Sequence, residues 1–175
     1  MLELIMILAV VAVLFVLIVS RRPADFQVVR SAVMAAPAPL VFEQVNNLKK
    51  WDAWSPWAKL DPNAHNAFEG PEAGVGAVMR WAGNNKIGEG SMTIVDSLPG
   101  EFIRFKLAFL KPFKATNTAE FTFKAEGDQT LVTWRMFGSN NFIGKAMSLF
   151  MNCDAMVGGQ FEQGLTAMKA IVEAA

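Results

Sequence analysis

The hydrophobic pattern divides the chain into segments with different periods. The first twenty residues are apolar apart from Glu3 and Ser20, and the run from Leu4 to Val19 is uninterrupted. From about residue 65 to residue 138, apolar and polar residues alternate with a period of two, which is typical of strands with one buried face. Beyond Gly138 the period becomes helical. The pattern therefore predicts an N-terminal apolar helix, an antiparallel sheet and a closing helix.

The N-terminal segment is long enough to cross a bilayer. Eighteen apolar residues at about 1.5 Å each give roughly 27 Å, close to the ~30 Å hydrocarbon core. A cleaved signal peptide is the alternative, but it requires a basic start and small residues at a cleavage site. Here Glu3 lies at the start, and Val19-Ser20-Arg21-Arg22-Pro23 contains no such site. We expect an uncleaved transmembrane helix over residues 1–20 and a linker over residues 21–25.

The basic residues beside this helix predict its orientation. Arg21 and Arg22 follow the helix, and no Lys or Arg precedes it. The positive-inside rule then places the remaining residues on the cytoplasmic side of the cell membrane, attached by a single pass.

The remaining elements follow from the same patterns. Valine-rich residues from Phe26 to Met34 predict a first strand, and Pro39 is suited to the first turn of a helix that carries Phe42 and Val45. The alternating region contains five predicted strands: Val78–Trp81, Gly90–Leu98, Glu101–Leu110, Thr116–Ala125 and Thr130–Phe137. Turn residues such as Leu98-Pro99-Gly100 separate them, as expected for hairpins.

Two elements predict which faces are buried. In the strand near residue 105, one face carries Ile103, Phe105, Leu107 and Phe109, and the other carries Arg104 and Lys106. The closing helix has one apolar stripe, formed by Val157, Phe161, Leu165, Met168 and Val172. The economical packing for this order is an α+β domain over residues 26–175, with a curved antiparallel sheet wrapped around the C-terminal helix.

Several short motifs give this order a family resemblance. The sequence resembles the SRPBCC branch of the START-like superfamily, often called polyketide cyclase/dehydrase-like, whose fold is the helix-grip fold. The resemblance covers about Phe26 to Glu173. It is carried by Ala36-Pro37, Trp54-Ser55-Pro56-Trp57, Asp61-Pro62, Gly74-Val75-Gly76-Ala77, Gly88-Glu89-Gly90-Ser91-Met92, Asn117-Thr118-Ala119-Glu120-Phe121, Thr133-Trp134 and Phe161-Glu162-Gln163-Gly164-Leu165. The fold hosts lipid carriers and cyclases, so the resemblance implies a ligand cavity without naming its occupant.

Composition and charge exclude several classes of function. The formal net charge of the chain is zero, so no nucleic-acid partner is expected. A single cysteine excludes an intramolecular disulfide, and one histidine makes a zinc or iron site improbable, so no metal or cofactor is expected. His65 is interpreted as a surface histidine, with a general base as the alternative. Cys153 is interpreted as a buried thiol.

The apolar inventory of the domain is rich in large aromatic and methionine side chains, which suit an adaptable ligand cavity. With the fold that the sequence resembles, this inventory predicts a hydrophobic ligand site between the sheet and the C-terminal helix. The expected ligand-binding residues are Trp54, Trp57, Met79, Trp81, Met92, Phe105, Phe109, Phe121, Phe123, Trp134, Met147, Met151 and Phe161. For each of them taken singly, a place in a filled core is the alternative.

One acidic residue is a weak catalytic candidate. Asp154 lies three residues before Val157, on the apolar stripe of the closing helix. A carboxylate facing the cavity would have a raised pKa and act as an acid or base. The favoured alternative is that Asp154 caps the helix.

The segment from Phe142 to Met151 has two interpretations, a lid over the cavity or an amphipathic flap on the bilayer.

Three functions follow for the whole chain. The first is membrane-anchored binding of a hydrophobic small molecule, lipid-like or polyketide/isoprenoid-like, with the lipid bilayer as partner. The second is a cyclase or dehydratase acting on a polyketide-like substrate. The third is a non-catalytic adaptor that docks on a membrane-protein partner through exposed Trp54 and Trp57.

Overall fold

The apolar N-terminal run forms one continuous helix, α1 (Leu2–Arg21). The structure is a computed structural model that describes residues 1–175, except for the side chain of Cys153. The interpretation of Cys153 as a buried thiol therefore lies outside the described residues. Within them, α1 is the one helix long and apolar enough to cross a membrane. Its side chains are exposed apart from Val19, so α1 projects from the domain.

Seven antiparallel strands form one sheet: β1 (Asp25–Met34), β2 (His65–Glu69), β3 (Val78–Ala82), β4 (Glu89–Leu98), β5 (Phe102–Lys111), β6 (Ala115–Glu126) and β7 (Gln129–Ser139). Their order in the sheet is β1-β7-β6-β5-β4-β3-β2. The first strand pairs with the last, Asp25 opposite Ser139 and Met34 opposite Thr130. Register shifts between Glu89 and Gly90, and between Ile94 and Asp96, interrupt the pairing of β4 with β5, as β-bulges do in bent sheets.

The chain has four further helices: α2 (Ala38–Asn46), α3 (Trp51–Trp54), α4 (Phe142–Met147) and α5 (Cys153–Glu173). Short 3₁₀ turns at Leu48–Lys50 and Pro56–Lys59 flank α3. The long helix α5 packs against β1 and α3. The predicted helix-grip fold, a curved antiparallel sheet around a C-terminal helix, is confirmed.

The predicted faces agree with the burial of the side chains. In β5, Ile103 and Phe105 are buried. Lys106, which lies between Phe105 and Leu107, is exposed. In α5, Phe161, Leu165, Met168 and Val172 are buried, and Val157 is half-buried. The strand β2 has no counterpart among the predicted strands. All five of its residues are exposed, so they lack the alternation that marks a half-buried strand.

The strand register defines two ends of the sheet. Residues Asp25, Ser139, Lys111, Glu89 and Ala82 lie at one end, because Asp25 pairs with Ser139, Lys111 with Glu89, and Glu89 with Ala82. Since β1 starts there directly after α1, we call this the α1 end. The connections at the α1 end are residues 60–64, which lead into β2, and residues 83–88, 112–114 and 140–152. The connections at the opposite, far end are residues 70–77, 99–101 and 127–128.

Candidate hydrophobic ligand site

A cavity of about 330 Å³ lies between the inner face of the sheet and α5. Its wall combines strand residues, helix residues and two loops at the α1 end. The apolar residues that line the cavity include Trp51, Trp57, Met79, Trp81, Ile87, Met92, Leu107, Phe109, Pro112, Ala119, Trp134, Met136, Val157 and Phe161. Pockets that bind small molecules measure about 300–1,000 Å³ and are mostly apolar, so the size and wall of this cavity suit a compact hydrophobic ligand.

Seven of the thirteen residues expected to bind a ligand line this cavity: Trp57, Met79, Trp81, Met92, Phe109, Trp134 and Phe161. They come from β3, β4, β5, β7, α5 and the turn after α3. The sheet brings Trp81 and Phe109 together, because both residues pair with Gly90 on the strand between them.

Four other predicted residues belong to the solid core. Trp54, Phe105 and Phe121 have no exposed surface, and Phe123 is also buried. Phe105 and Phe121 meet Trp51 edge-on, with ring centroids at 5.5 Å and 5.9 Å. Trp54 meets Trp134 edge-on at 5.7 Å, and Phe123 meets Phe42 edge-on at 5.4 Å. These four side chains lie in the packed core and are not among the residues that line the cavity. The adaptor surface predicted at Trp54 is also corrected, because Trp54 is buried rather than exposed.

The last two predicted residues, Met147 and Met151, lie in the segment between β7 and α5 and are not among the residues that line the cavity. In this structure the segment is therefore not a lid over the cavity. Its helix α4 contacts the membrane-type helix α1 instead. The sequence pattern of α4 gives an apolar face, but it does not indicate which surface that face covers.

Several lining residues were missed by sequence reasoning. Leu107 and Val157 lie on the predicted apolar faces of β5 and α5, so the alternation and the helical stripe contained their signal. Ala119 shares its strand face with Phe121, and its small side chain leaves space that a larger residue would fill. Ile87 and Pro112 lie in loops, where no periodic pattern exists to reveal them.

Aromatic contacts fix the shape of the wall. The rings of Trp134 and Phe161 stack at 4.0 Å with an interplanar angle of 6°, which joins β7 to α5. Trp81 meets Phe109 edge-on at 5.8 Å and donates a hydrogen bond from Nε1 to the Ile87 carbonyl at 3.2 Å. Because the Trp81 indole has its own partner, its orientation is set without a ligand.

Gly90 makes the arrangement of Trp81 possible. A Cβ atom at Gly90 would lie 2.5 Å from Trp81 Cζ2 and 2.6 Å from the Ala108 carbonyl oxygen. Both distances are shorter than any tolerable contact. The absence of a side chain at Gly90 therefore lets the indole lie across β4 and form part of the cavity wall.

The charged side chains of the wall lie at its outer part. Asp52, Lys86 and Lys111 line the cavity and are exposed, so the cavity reaches the surface beside them. Asp52 Oδ1 accepts a hydrogen bond from Asn66 Nδ2 at 3.3 Å, and Lys111 pairs with Glu89. Lys86 and Lys111 belong to the α1 end of the sheet, so the mouth of the cavity lies toward that end.

The position of Asp154 agrees with neither interpretation from the sequence, the acid or base that faces the cavity or the cap of the helix. It lies in the first turn of α5, while Asn152 caps the helix by accepting a hydrogen bond from the Ala155 backbone N–H at 3.0 Å. The Asp154 carboxylate is exposed and pairs with Arg30 at 3.1 Å. Hydrogen bonds from the Arg30 guanidinium lower the pKa of Asp154, and its positive charge acts in the same direction. The expected raised pKa is wrong because the carboxylate lies beside an arginine on β1, outside the cavity.

The other residues considered for chemistry are scattered. His65 is exposed at the start of β2, opposite Ala82. Among the described residues, no group of three or more His, Cys, Asp and Glu side chains is arranged to hold a metal ion. The arrangement offers a hydrophobic container with polar groups at its mouth.

A curved seven-stranded antiparallel sheet that encloses a C-terminal helix and an apolar cavity defines the helix-grip class. Within that class, the chain belongs to the family described as polyketide cyclase / dehydrase and lipid transport, whose sequence profile matches residues 25–173. The comparison with curated protein sequences gave no match.

Solved structures share this fold at low sequence identity. Protein MLL2253 from Mesorhizobium loti is 10% identical with a TM-score of 0.64, over 86% of this chain and 98% of that one. Protein CV1439 from Chromobacterium violaceum is 15% identical with a TM-score of 0.61, over 84% and 96%. The di-domain ARO/CYC StfQ from the steffimycin biosynthetic pathway is 13% identical with a TM-score of 0.62, over 89% of this chain and 53% of that one. At these identities the similarity establishes the fold.

Proposed function

We propose that the protein binds a compact hydrophobic molecule, lipid-like or polyketide/isoprenoid-like, in the cavity between the sheet and α5, and that α1 anchors it to a membrane. The single observation that carries the proposal is the apolar cavity of about 330 Å³, whose wall is built from aromatic and methionine side chains. Burial of apolar ligand surface there contributes about 2.5 kcal/mol for every 100 Å² removed from water. Desolvation is thus the main driving force for binding.

The cavity volume also limits the ligand. At about 330 Å³ it is near the lower end of the range for small-molecule pockets. A single isoprenoid-like chain or a small fused-ring compound suits this volume better than a lipid with two acyl chains. The flexible side chains of Met79, Met92 and Met136 adapt the wall to guests of irregular shape.

The membrane anchor is supported by the length and exposure of α1 and by its contact with the domain. Val19 near the end of α1 is fully buried, and α4 is an element that contacts α1. A cleaved signal sequence would remove this packing. Arg21 and Arg22 at the end of α1 favour the cytoplasmic side for the domain. The intact mass of the membrane-extracted protein tests retention of α1, and protease access in sealed vesicles tests the side.

A cyclase-type activity is the second candidate, favoured by the family description and by the carboxylate of Asp52 in the outer wall of the cavity. Asp52 and its partner Asn66 are polar groups that a bound substrate would reach from inside. If the protein is such an enzyme, Asp52→Asn lowers turnover of a polyketide-like substrate and leaves its binding intact. Equal loss from Asp128→Asn, in the β6–β7 turn, would contradict a specific role for Asp52.

Photo-crosslinking tests the binding function directly. The full chain in membranes is incubated with a diazirine-bearing isoprenoid alcohol, irradiated and digested. We expect crosslinks on wall peptides that contain Trp81, Phe109 or Phe161, and their loss in Ala119→Phe, in which the new ring occupies the cavity. Crosslinks confined to α1 in both proteins would mean that the probe merely dissolves in the bilayer around the anchor, and would contradict the proposal.

A further inference from the structure

The α1 end of the domain carries exposed apolar side chains on separate connections. Phe142 and Ile143 in α4 expose 45% and 54% of their surface, and Phe150 between α4 and α5 exposes 80%. Phe113, in the connection between β5 and β6, exposes 55%. Neighbouring connections at one end of the sheet thus expose large apolar side chains. Such exposed apolar surface marks a site of interaction with another protein or with a membrane.

The charges of the connections differ between the two ends of the sheet. At the α1 end, residues 83–88, 112–114 and 140–152 contain Lys86, Lys114 and Lys145 and no acidic residue. The connection into β2, residues 60–64, contains one acidic residue, Asp61, whose Oδ2 accepts a hydrogen bond from the Asn84 backbone N–H at 2.7 Å. At the far end, residues 70–77, 99–101 and 127–128 contain Glu72, Glu101 and Asp128 and no basic residue. A surface that combines lysines with exposed aromatic rings has the composition of a bilayer interface, where cations meet lipid phosphates and rings enter the headgroup region.

The chain keeps this end close to the membrane. Arg22, Pro23 and Ala24 are the three residues between α1 and β1, and at about 3.6 Å per residue they span roughly 11 Å at most. In addition, α4 contacts α1, and the Ala24 carbonyl accepts a hydrogen bond from the Asn140 backbone N–H at 2.8 Å. The segment that carries Phe142 and Phe150 is therefore tied to the place where α1 would leave the bilayer.

We propose that this bilayer-contact surface, formed by Phe113, Phe142, Ile143 and Phe150 with Lys86 and Lys145 around them, rests in the headgroup region of the membrane that α1 spans. The inference rests on the membrane anchor of the proposed function and deepens it. Lys86, Ile87, Lys111 and Pro112 line the cavity and belong to the same end, so the mouth of the cavity faces the bilayer. A hydrophobic ligand then enters from the membrane without crossing bulk water.

Site-directed spin labelling of the full chain tests this orientation. The protein is placed in nanodiscs of phosphatidylcholine with one-third phosphatidylglycerol, with the native thiol removed by Cys153→Ser. Nitroxides are attached at Phe150→Cys or at Phe113→Cys for the proposed surface. Leu98→Cys at the far end is the matched control, because Leu98 is also an exposed apolar residue, at 52%. Leu8→Cys reports on the middle of α1.

The measurement compares collisions of each label with oxygen, which concentrates in lipid, and with a water-soluble nickel chelate. We expect the labels at 150 and 113 to collide with oxygen at least threefold more, relative to nickel, than the label at 98.

Labels at 150 and 113 that match the one at 98, while the label at Leu8 is in hydrocarbon, would overturn the bilayer contact and leave the anchor intact. Protection from both reagents would show a protein partner and also overturn it. A water-exposed label at Leu8 would overturn the anchor itself. Loss of ligand crosslinks with bilayer contact retained would contradict the binding function alone.

Discussion

Arg30 on β1 and Asp154 in the first turn of α5 form an ion pair across the sheet–helix interface, with Nη2 to Oδ2 at 3.1 Å. The same guanidinium donates from Nε to Glu162 Oε1 at 2.6 Å, so one arginine holds two turns of α5. Asp154 thereby fixes the helix that forms one wall of the cavity, and its carboxylate is engaged on the outer side of that wall.

This pairing predicts how stability depends on pH. The pKa of Asp154 is lowered in the folded state, because the charged carboxylate accepts hydrogen bonds from Arg30. Its contribution is complete above the ordinary aspartate pKa of about 3.9 and is lost as the pH falls through the lowered value. We expect Asp154→Asn to lower Tm by at most a few degrees near neutral pH, and the deficit to shrink below about pH 4. Thermal unfolding from pH 2 to 7 checks this, with Asp128→Asn as control; a deficit that grows on acidification would contradict it.

Gly158 and Gly159 provide a matched pair that tests the position of Arg30. A Cβ atom at Gly158 would lie 2.1 Å from Arg30 Nη2, whereas one at Gly159 has no atom within 4 Å. Alanine is favoured over glycine in a helix by about 0.5–1 kcal/mol, so Gly159→Ala should stabilise the protein by that amount. Gly158→Ala should lose this gain because it displaces the guanidinium. Urea unfolding in detergent measures both; equal stabilisation would show that Arg30 does not lie over Gly158.

Phe121 lies in the packed core and Phe109 lies in the cavity wall, so their substitutions should have different effects. Phe121 is fully buried among other aromatic rings, and Phe109 lies half-buried in the wall. We expect Phe121→Ala to reduce the free energy of unfolding by about 3–5 kcal/mol. Phe109→Ala should cost less stability and weaken crosslinking of the isoprenoid probe. The opposite order of stability effects would mean that the cavity wall, and not the cluster around Phe121, holds the fold together.

The methyl group that Gly90→Ala adds should weaken binding of the ligand. In Gly90→Ala the new Cβ atom clashes with Trp81 and with the backbone of β5, so the indole must move. We expect a loss of about 1–3 kcal/mol in stability and weaker probe binding. Ser91→Ala is the control, because Ser91 is the next residue and lies on the opposite face of β4. Unchanged tryptophan fluorescence and unchanged probe binding in Gly90→Ala would contradict the role of Gly90.

The sequence predicted the fold well where one face of an element is buried. Alternation in β5 and the stripe of α5 revealed both faces that enclose the cavity, because burial imposes a period on the residue types. The exposed strand β2 carries no such period and was missed. The boundaries of the other strands agree within two residues, since turn residues such as Pro99 and Gly127 interrupt the pattern.

The site was predicted less completely, because periodicity reports which face is buried but not whether it meets a cavity or another side chain. Phe105 and Phe109 share a face of β5, yet Phe105 packs on Trp51 and Phe109 borders the cavity. That difference depends on the curvature of the sheet and on contacts distant in sequence. The partner of Asp154 was hidden for the same reason, as Arg30 lies 124 residues away along the chain.

Native mass spectrometry of the full chain, extracted from membranes in mild detergent, shows whether the cavity holds a hydrophobic ligand. We expect a bound apolar molecule that organic solvent releases. We expect this molecule to be absent from Ala119→Phe, whose ring fills the cavity, and retained in Ala125→Phe, on an exposed part of the same strand. A wild-type protein that carries no ligand and takes up none when incubated with isoprenoid alcohols or fused-ring compounds would contradict ligand binding in the cavity.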